Sequence, residues 1–186
     1  MSINIFMVRS INIASIPRCG STMLCHCIEG TKIKSFWHGR SWPYNIDKNT
    51  KVVKTHTYKI QELQKVRSIF LFGDIKQSIL SFINRRWDIR SLRNCHYNGS
   101  ITDANIFNAD ILNLELIFDN WTNNKLYPTL CVKYEYLWDN IGIIEDYLSQ
   151  KIILPIKKKR RKYSNDYDFS IYDSLIKKVK DAKSIW

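Results

Sequence analysis

The chain has 186 residues, 45% of them hydrophobic and 25% charged, and this composition excludes a disordered chain. The length predicts a single domain over residues 1–186 with room for a real core, and a second domain is not expected. Lysine and arginine number 29 against 17 aspartate and glutamate, which gives a formal net charge of +12. This charge favours anionic partners, namely nucleotides, sulfated or phosphorylated substrates, nucleic acid or an acidic membrane surface, without choosing among them.

The sequence predicts a soluble protein that is cytoplasmic or otherwise intracellular. No stretch reaches the roughly 18 apolar residues of a membrane span, and Arg9 interrupts the apolar start, which lacks the basic residues of a signal peptide. The five cysteines are odd in number and stand in apolar surroundings, so we expect reduced thiols. Cys25 and Cys27 are too close in sequence for a zinc pair, and no metal site is predicted. The oligomeric state is left open.

In chain order, the first half predicts strands that alternate with helices. The predicted strands are Ile3–Met7, Ile11–Ile16, Lys51–Lys54 and Ser68–Phe72. The predicted helices are Thr22–Glu29, Tyr58–Val66 and Ile75–Trp87, the last with Asp74 as its N-cap. Between them, Lys32–Asn49 carries aromatic residues, Gly39 and Pro43 and is predicted to be a long loop.

The second half continues the alternation after a polar segment at Arg90–Asp103. We predict helices at Ala104–Trp121, Gly142–Leu148 and Phe169–Ala182, strands at Thr129–Lys133 and Ile152–Ile156, and a basic run at Lys157–Lys162. Alternating strands and helices predict an α/β fold with three layers, in which a mostly parallel sheet is flanked by helices. Ligands of such sheets bind beyond the carboxyl ends of the strands.

The stretch "SIPRCGSTMLCHCI", Ser15 to Ile28, joins a predicted strand to a predicted helix and contains the parts of a phosphate cradle. A helix N-terminus exposes unpaired N–H groups, and Gly20 allows a close backbone approach. Ser21 and Thr22 add hydroxyls, and Arg18 adds a fixed charge with several donors. The Walker pattern G-x-x-x-x-G-K-[ST] is absent. On this stretch alone, the turn is either a cradle or an ordinary corner whose hydroxyls cap the helix.

Four segments together resemble the P-loop sulfotransferases, which use 3′-phosphoadenosine-5′-phosphosulfate (PAPS). "SIPRCGSTML" resembles their 5′-phosphosulfate loop, and "VVKTHTY" resembles their Lys-Thr-His segment. "IFLFGDIKQSILSFINRRW" resembles the segment that binds the 3′-phosphate, and "LCVKYEYLWDN" resembles their Tyr-Glu-x-Leu element, with Trp121 ahead of it. The segments follow the family order and span Ser15 to about Leu148, so the resemblance implies a P-loop-like sulfotransferase fold.

The resemblance implies transfer of a sulfuryl group from PAPS to a hydroxyl or amine acceptor, which leaves adenosine 3′,5′-bisphosphate. It makes His56 the base that takes the acceptor's proton, a task that suits an unperturbed pKa of about 6.5. It assigns Arg18 to the leaving phosphate and sulfuryl oxygens, and Lys54 to the transferring group. The implied cofactor-binding residues are Arg18, Cys19, Gly20, Ser21, Thr22, Met23 and Ser81.

The chain departs from the family in the 3′-phosphate segment. Gly73 stands where the family has arginine and Ile75 where it has proline, although Ser81 keeps its place. Losing a charged hydrogen bond costs about 1.5–3 kcal/mol, which is roughly tenfold to a hundredfold in affinity. Residues that offer compensation are Lys76, Arg85, Arg86 and the run Lys157–Lys162.

Several alternatives stay open at this point. A degenerate relative would bind a nucleotide or polyanion without chemistry, and a nucleic-acid binder has only the charge in its favour. Without the resemblance, His56 is a surface or capping histidine and Lys157–Lys162 a solvated loop. Tyr134 and Glu135 are assigned to structure, and Phe36, Trp37, Trp42 and Tyr44 line an acceptor cleft or belong to the core. The acceptor is a phenol, a carbohydrate, a lipid alcohol or a protein tyrosine, and the charge mildly favours an anionic one.

Overall fold

Four parallel strands form one sheet in the computed structural model, which describes residues 11–29, 52–60, 67–84, 95, 97, 99, 102–157, 162–163 and 166–186. The strands are β1 (Ile11–Ser15), β2 (Val52–Thr55), β3 (Ser68–Phe72) and β4 (Thr129–Lys133). Their order is β2-β1-β3-β4, and each neighbouring pair is parallel. The predicted α/β class with a parallel sheet flanked by helices is confirmed.

Six α-helices lie within the described ranges. They are α1 (Ser21–Glu29), α2 (Ile75–Asn84), α3 (Asp103–Asn108), α4 (Leu114–Thr122), α5 (Ile141–Leu148) and α6 (Asp173–Asp181). Single 3₁₀ turns occupy Tyr134–Tyr136 and Ser170–Tyr172. The predicted strand Ile3–Met7, the loop Lys32–Asn49 and most of Tyr58–Val66 and Arg90–Asp103 lie outside the described residues, as do the last residues of the helix Ile75–Trp87.

The two central strands explain why the sequence shows unbroken apolar runs. Every residue of β1 and β3 is buried, as expected for strands that carry other elements on both faces. An aromatic cluster continues the core from β3 to α4, where the rings of Phe70 and Trp121 stack with centroids 5.9 Å apart. The Trp121 indole donates to the Thr57 carbonyl at 2.8 Å, which ties α4 to the segment after β2.

The prediction of one helix at Ala104–Trp121 is wrong, because two helices, α3 and α4, share this segment. The carboxylate of Asp110 accepts from the backbone N–H groups of Leu114 and Glu115, both at 2.9 Å, and so caps α4. Asn113, which precedes α4, has a left-handed backbone with φ 54°. The helical spacing of apolar residues continues across this break, which is why the spacing alone predicted a single helix.

The predicted strand Ile152–Ile156 is also wrong, since this segment belongs to no sheet and Ile153 and Ile156 are each 89% exposed. The outer edge of β4 pairs instead with residues 184–186. Cys131 exchanges two backbone hydrogen bonds with Trp186, at 2.9 and 3.1 Å. The tail therefore occupies the edge that a further strand would need, and Pro155 lacks the N–H that a strand would use.

Candidate functional site

The four segments that carry the resemblance meet at one edge of the sheet. The strands are parallel, so their carboxyl ends lie together: β1 leads to the loop before α1, β2 to His56, β3 to Gly73 and β4 to Tyr134. β1 pairs with β2 on one side and β3 on the other, so the chain order reverses beside it. Such a reversal marks the crevice where open α/β sheets bind ligands.

The loop between β1 and α1 is a tight turn that depends on Gly20. Both Arg18 and Gly20 have left-handed backbones, with φ 68° and 79°. A Cβ atom built on Gly20 would lie 2.4 Å from Cε2 of Tyr134, so the tyrosine ring packs directly on the backbone of this residue. Glycine is therefore favoured here by conformation and required by space.

Arg18 links the loop to α2, because its Nε donates to the Ser81 hydroxyl at 3.0 Å. Beside it, Cys19 Sγ lies 3.6 Å from Ser78 Oγ, and Ser78 also donates to the Asp74 carbonyl at 2.9 Å. Ser81 was predicted to meet the 3′-phosphate and Arg18 the phosphosulfate. Two residues 63 positions apart, assigned to opposite ends of one nucleotide, are thus in direct contact.

His56 is held by both oxygens of Ser15. Its Nδ1 lies 2.8 Å from the Ser15 carbonyl and 3.1 Å from the Ser15 hydroxyl. A carbonyl oxygen only accepts, so we assign the ring proton to Nδ1, since the opposite tautomer would set two lone pairs 2.8 Å apart. The neutral ring then has its free lone pair on Nε2, and no described residue donates to that nitrogen. This tautomer is the one that a general base at Nε2 requires.

The surroundings of His56 differ from the sequence expectation in two ways. The side chain is only 3% exposed, so it is neither a surface nor a capping histidine. Burial, reinforced by the nearby Lys54 and Arg18 cations, lowers the pKa of His56 from 6.5 to about 3 despite the bond to Ser15. The expected unperturbed pKa is therefore wrong, and the imidazole is neutral at physiological pH.

Two cations concentrate positive charge at the same edge of the sheet. Lys54 is partly buried on β2, and this burial lowers its pKa, while the nearby Arg18 lowers it further. Both cations also lower the pKa of His56. An anion bound between these three groups would offset the positive potential that lowers the pKa values of Lys54 and His56.

Gly73, where the family has arginine, lies against the carboxylate of Glu135. A Cβ atom on Gly73 would lie 2.9 and 3.0 Å from the two carboxylate oxygens. The same carboxylate accepts from the backbone N–H of Asp74 at 3.1 Å, and Asp74 caps α2 as predicted by accepting from Gln77 N at 3.0 Å. Glu135 therefore has the structural role assigned to it, and it also places a negative charge where the family has a positive one.

The basic run begins and ends beside this segment. At its start, Lys157 donates to the Glu135 carbonyl at 3.1 Å. At its end, Tyr163 and the side chain of Gln77 exchange two hydrogen bonds, at 2.9 and 3.1 Å. Residues 158–161 of the run lie outside the described residues, but both anchors are within a few positions of Gly73 or in contact with it.

The remaining predicted site residues are placed as follows. Thr22 is exposed on the first turn of α1, whereas Met23 packs against the core. The ammonium of Lys76 lies 5.3 Å from the ring centroid of Phe169, which makes it a cation–π partner. Arg85, Arg86 and the aromatic residues Phe36, Trp37, Trp42 and Tyr44 are outside the described ranges. Ser15 and Ser78 stand inside the quoted segments, but the sequence assigned no role to either.

No protein-family model matches the chain, and no significant match is found among the curated proteins or the solved structures. In the described part of the chain, no helix is long and apolar enough to cross a membrane. Within the same ranges, no three His, Cys, Asp or Glu side chains lie together as metal ligands would.

Acid is expected to destabilise the protein through His56. The folded-state pKa of about 3 lies below the ordinary value of 6.5, so between these values only the unfolded state binds the proton. Stability is therefore lost as the pH falls from 6.5 towards 3, by up to about 1.4 kcal/mol per pH unit. Urea unfolding of wild type and His56→Gln over this range should show a flatter slope in the variant.

The matched control for this experiment is His26→Gln, since His26 is exposed on α1. The same measurement on this variant gives the effect of removing an exposed imidazole. Equal slopes for wild type and His56→Gln would contradict the burial of a neutral imidazole.

Proposed function

We propose that the chain is a sulfotransferase with a P-loop-like fold that transfers a sulfuryl group from PAPS to a hydroxyl or amine acceptor. One observation carries the proposal: hydrogen bonds join the stretch that begins at Ser15 to two of the other segments, through Arg18 to Ser81 and through Ser15 to His56. In the family these three segments serve the phosphosulfate, the 3′-phosphate and the acceptor. Contact among them at a sheet edge is what a shared nucleotide site needs.

In the proposed reaction the acceptor oxygen attacks sulfur as the bond from sulfur to the 5′-phosphate oxygen breaks. The guanidinium of Arg18 stabilises the charge that builds on the leaving oxygen, and the ammonium of Lys54 faces the transferring group. The N–H groups of residues 19–22 hold the 5′-phosphate at the start of α1. The acceptor's proton passes to Nε2 of His56, and the products are the sulfated acceptor and adenosine 3′,5′-bisphosphate.

The low pKa of His56 is compatible with this role, because two of its causes would change when an anion binds. Lys54 and Arg18 contribute to the lowering, and a bound anion would offset their positive potential. The pKa of His56 would then rise towards the range in which a base is effective at neutral pH. Burial, the largest cause, also excludes water that would otherwise compete with the acceptor.

For the 3′-phosphate we propose that the run Lys157–Lys162 supplies the charge that is missing at Gly73. The support is the anchoring of the run, which starts at the Glu135 carbonyl and ends at Gln77 on the first turn of α2. Five consecutive cations, residues 158–162, lie in sequence between the anchors at Lys157 and Tyr163. Cations of this kind neutralise a phosphate through charge-assisted hydrogen bonds.

A second candidate is a relative that binds a nucleotide or polyanion without transferring sulfate. The observation that favours it is the Glu135 carboxylate against Gly73, which opposes a 3′-phosphate at that point. The two candidates share the loop and differ only in chemistry.

Ligand-induced thermal stabilisation and turnover together test both candidates. Adenosine 3′,5′-bisphosphate should raise the melting temperature, and ADP should not. Transfer of labelled sulfate from PAPS to phenol, carbohydrate, lipid-alcohol and tyrosine-peptide acceptors separates the enzyme from the binding relative. Stabilisation without transfer to any acceptor would favour the relative, and equal stabilisation by both nucleotides would contradict a dedicated 3′-phosphate site.

Arg18→Ala should weaken binding of adenosine 3′,5′-bisphosphate by roughly tenfold to a hundredfold, because it removes a charged hydrogen bond of about 1.5–3 kcal/mol. Isothermal titration measures this. Lys177→Ala is the control, since it removes one exposed cation from α6. Equal affinities for the two variants would mean that Arg18 does not hold the nucleotide.

A further inference from the structure

Two buried serine hydroxyls lie between His56 and the start of α1, and the proposed reaction gives no task to the first of them. Ser15 is completely buried at the end of β1, and Ser21 is 3% exposed as the first residue of α1. The Ser15 hydroxyl donates to Ser21 Oγ at 2.8 Å and lies 3.1 Å from His56 Nδ1. The side chains of Ser21, Ser15 and His56, from α1, β1 and the segment after β2, are thus linked in series by hydrogen-bond contacts.

The hydrogen bonds of this contact run in a single direction. The Ser15 carbonyl requires the imidazole proton on Nδ1, so Nδ1 cannot accept from the Ser15 hydroxyl. The Ser15 oxygen can therefore only accept from the ring, and its own proton goes to Ser21. The Ser21 oxygen accepts from Ser15, and no described residue accepts the Ser21 hydroxyl proton. That proton is therefore available to a group other than these three residues.

From this order we infer that Ser15 is a positioning residue, which transmits the state of the anion loop to His56 through a one-directional chain of hydrogen bonds. An anion at the loop accepts the Ser21 proton and polarises the Ser21 hydroxyl. This strengthens the bond from Ser15, and in turn the bond that Nδ1 donates to Ser15. The inference rests on the proposed function for the identity of the anion, whereas the hydrogen bonds that join Ser21, Ser15 and His56 do not depend on that identity.

The direction of the chain has a chemical consequence for the base. Stronger donation from Nδ1 leaves more electron density on the ring and makes Nε2 a better proton acceptor, as in other sites where a partner at one nitrogen tunes the other. Binding of the anionic donor substrate would thus activate the base at the moment when it is needed. A through-space effect of the anion on His56 is also expected, and the test has to separate the two.

A ligand-free double-mutant cycle, read by ¹⁵N NMR of the histidine rings, makes this separation. Ser21→Ala breaks the chain two bonds from the ring and should shift the His56 Nδ1 resonance in an otherwise wild-type chain. In a Ser15→Ala background the same change should have no effect, because the link is already gone. Ser78→Ala is the control: it removes a buried hydroxyl that contacts the loop but bonds to Asp74, and it should leave His56 unmoved.

The outcomes decide the inference without any measurement of sulfate transfer. A Ser21→Ala shift of equal size in both backgrounds, or no shift in either, overturns the coupling. An Nε2–H tautomer in the wild-type spectrum also overturns it. If Ser15→Ala does not fold, Ser21→Thr replaces it: the restored hydroxyl should return the His56 resonance towards its wild-type position, and failure to do so overturns the inference.

Failure of the proposed function would give results that differ from failure of this inference. Turnover absent in wild type, with the NMR coupling intact, refutes the sulfotransferase and leaves the chain of hydrogen bonds. If turnover is present, Ser15→Ala should lower kcat more than it raises KM for PAPS, because the nucleotide contacts remain while the base loses its partner. An increase in KM alone would assign Ser15 to simple packing of the loop.

Discussion

Gly20→Ala is expected to destabilise the protein and to abolish binding of adenosine 3′,5′-bisphosphate. A left-handed backbone costs a residue with a side chain about 1–2 kcal/mol, and Gly20 has φ 79°. The added methyl group would also lie 2.4 and 2.7 Å from two ring carbons of Tyr134, well inside van der Waals contact. Relieving such overpacking costs a further 1–3 kcal/mol or so. The N–H groups that follow Gly20 would move with it, so the anion cradle would lose its geometry.

Urea unfolding and isothermal titration check this expectation, with Gly142→Ala as the matched control. Gly142 lies in α5, and nothing is within 4 Å of the place where its Cβ would be. Alanine there should stabilise the protein by about 0.5–1 kcal/mol and leave binding unchanged. A Gly20→Ala protein that is as stable as wild type and binds the nucleotide normally would show that the turn is an ordinary corner.

A second variant divides the effect of Gly20→Ala into its two causes. Tyr134→Ala removes the ring but leaves the backbone strain at position 20. The double variant Gly20→Ala with Tyr134→Ala should therefore recover the overpacking part of the loss relative to Tyr134→Ala alone. If the losses of unfolding free energy in the two single variants add fully in the double variant, the ring does not press on the loop.

The sheet was predictable because its strands have local signals. Ser68–Phe72 and Thr129–Lys133 are short apolar or β-branched runs, one of them directly after Pro128, and both strands have the predicted bounds. The break at Asp110 and the missing strand at Ile152–Ile156 depend on tertiary partners. A carboxylate cap interrupts an apolar spacing that otherwise continues, and the tail at residues 184–186 occupies the strand edge.

In the candidate site, too, the features with local sequence signals were predictable, and those that depend on tertiary contacts were not. Motif order was enough to select the loop, His56 and Ser81, and the parallel sheet then brings them together. The ring of Tyr134 on Gly20 was not predictable, because it follows from the pairing of β3 with β4 rather than from any spacing in the sequence. Nor was the low pKa of His56, which depends on burial, on Lys54 two residues upstream and on Arg18 from the loop after β1.

Gly73→Arg combined with Glu135→Gln is expected to tighten binding of adenosine 3′,5′-bisphosphate by roughly tenfold to a hundredfold. The added guanidinium restores a charged hydrogen bond of about 1.5–3 kcal/mol to the 3′-phosphate. In Gly73→Arg alone the Glu135 carboxylate lies within 3.0 Å of the new Cβ, so it competes for the guanidinium and the gain is smaller. Glutamine at 135 removes this competition and can still accept from the Asp74 N–H, which keeps the segment in place.

The 3′-phosphate itself is the control in this experiment, because the same proteins can be titrated with adenosine 5′-monophosphate. A guanidinium at position 73 that meets the 3′-phosphate cannot improve binding of a nucleotide without one. The ratio of the affinity for adenosine 3′,5′-bisphosphate to that for adenosine 5′-monophosphate should therefore rise most in the double variant. It should rise less in Gly73→Arg and least in Glu135→Gln. Equal gains for both nucleotides would mean that the charge acts only at long range. No gain for either would place the second phosphate away from Gly73, and the proposed role of the run Lys157–Lys162 would fall with it.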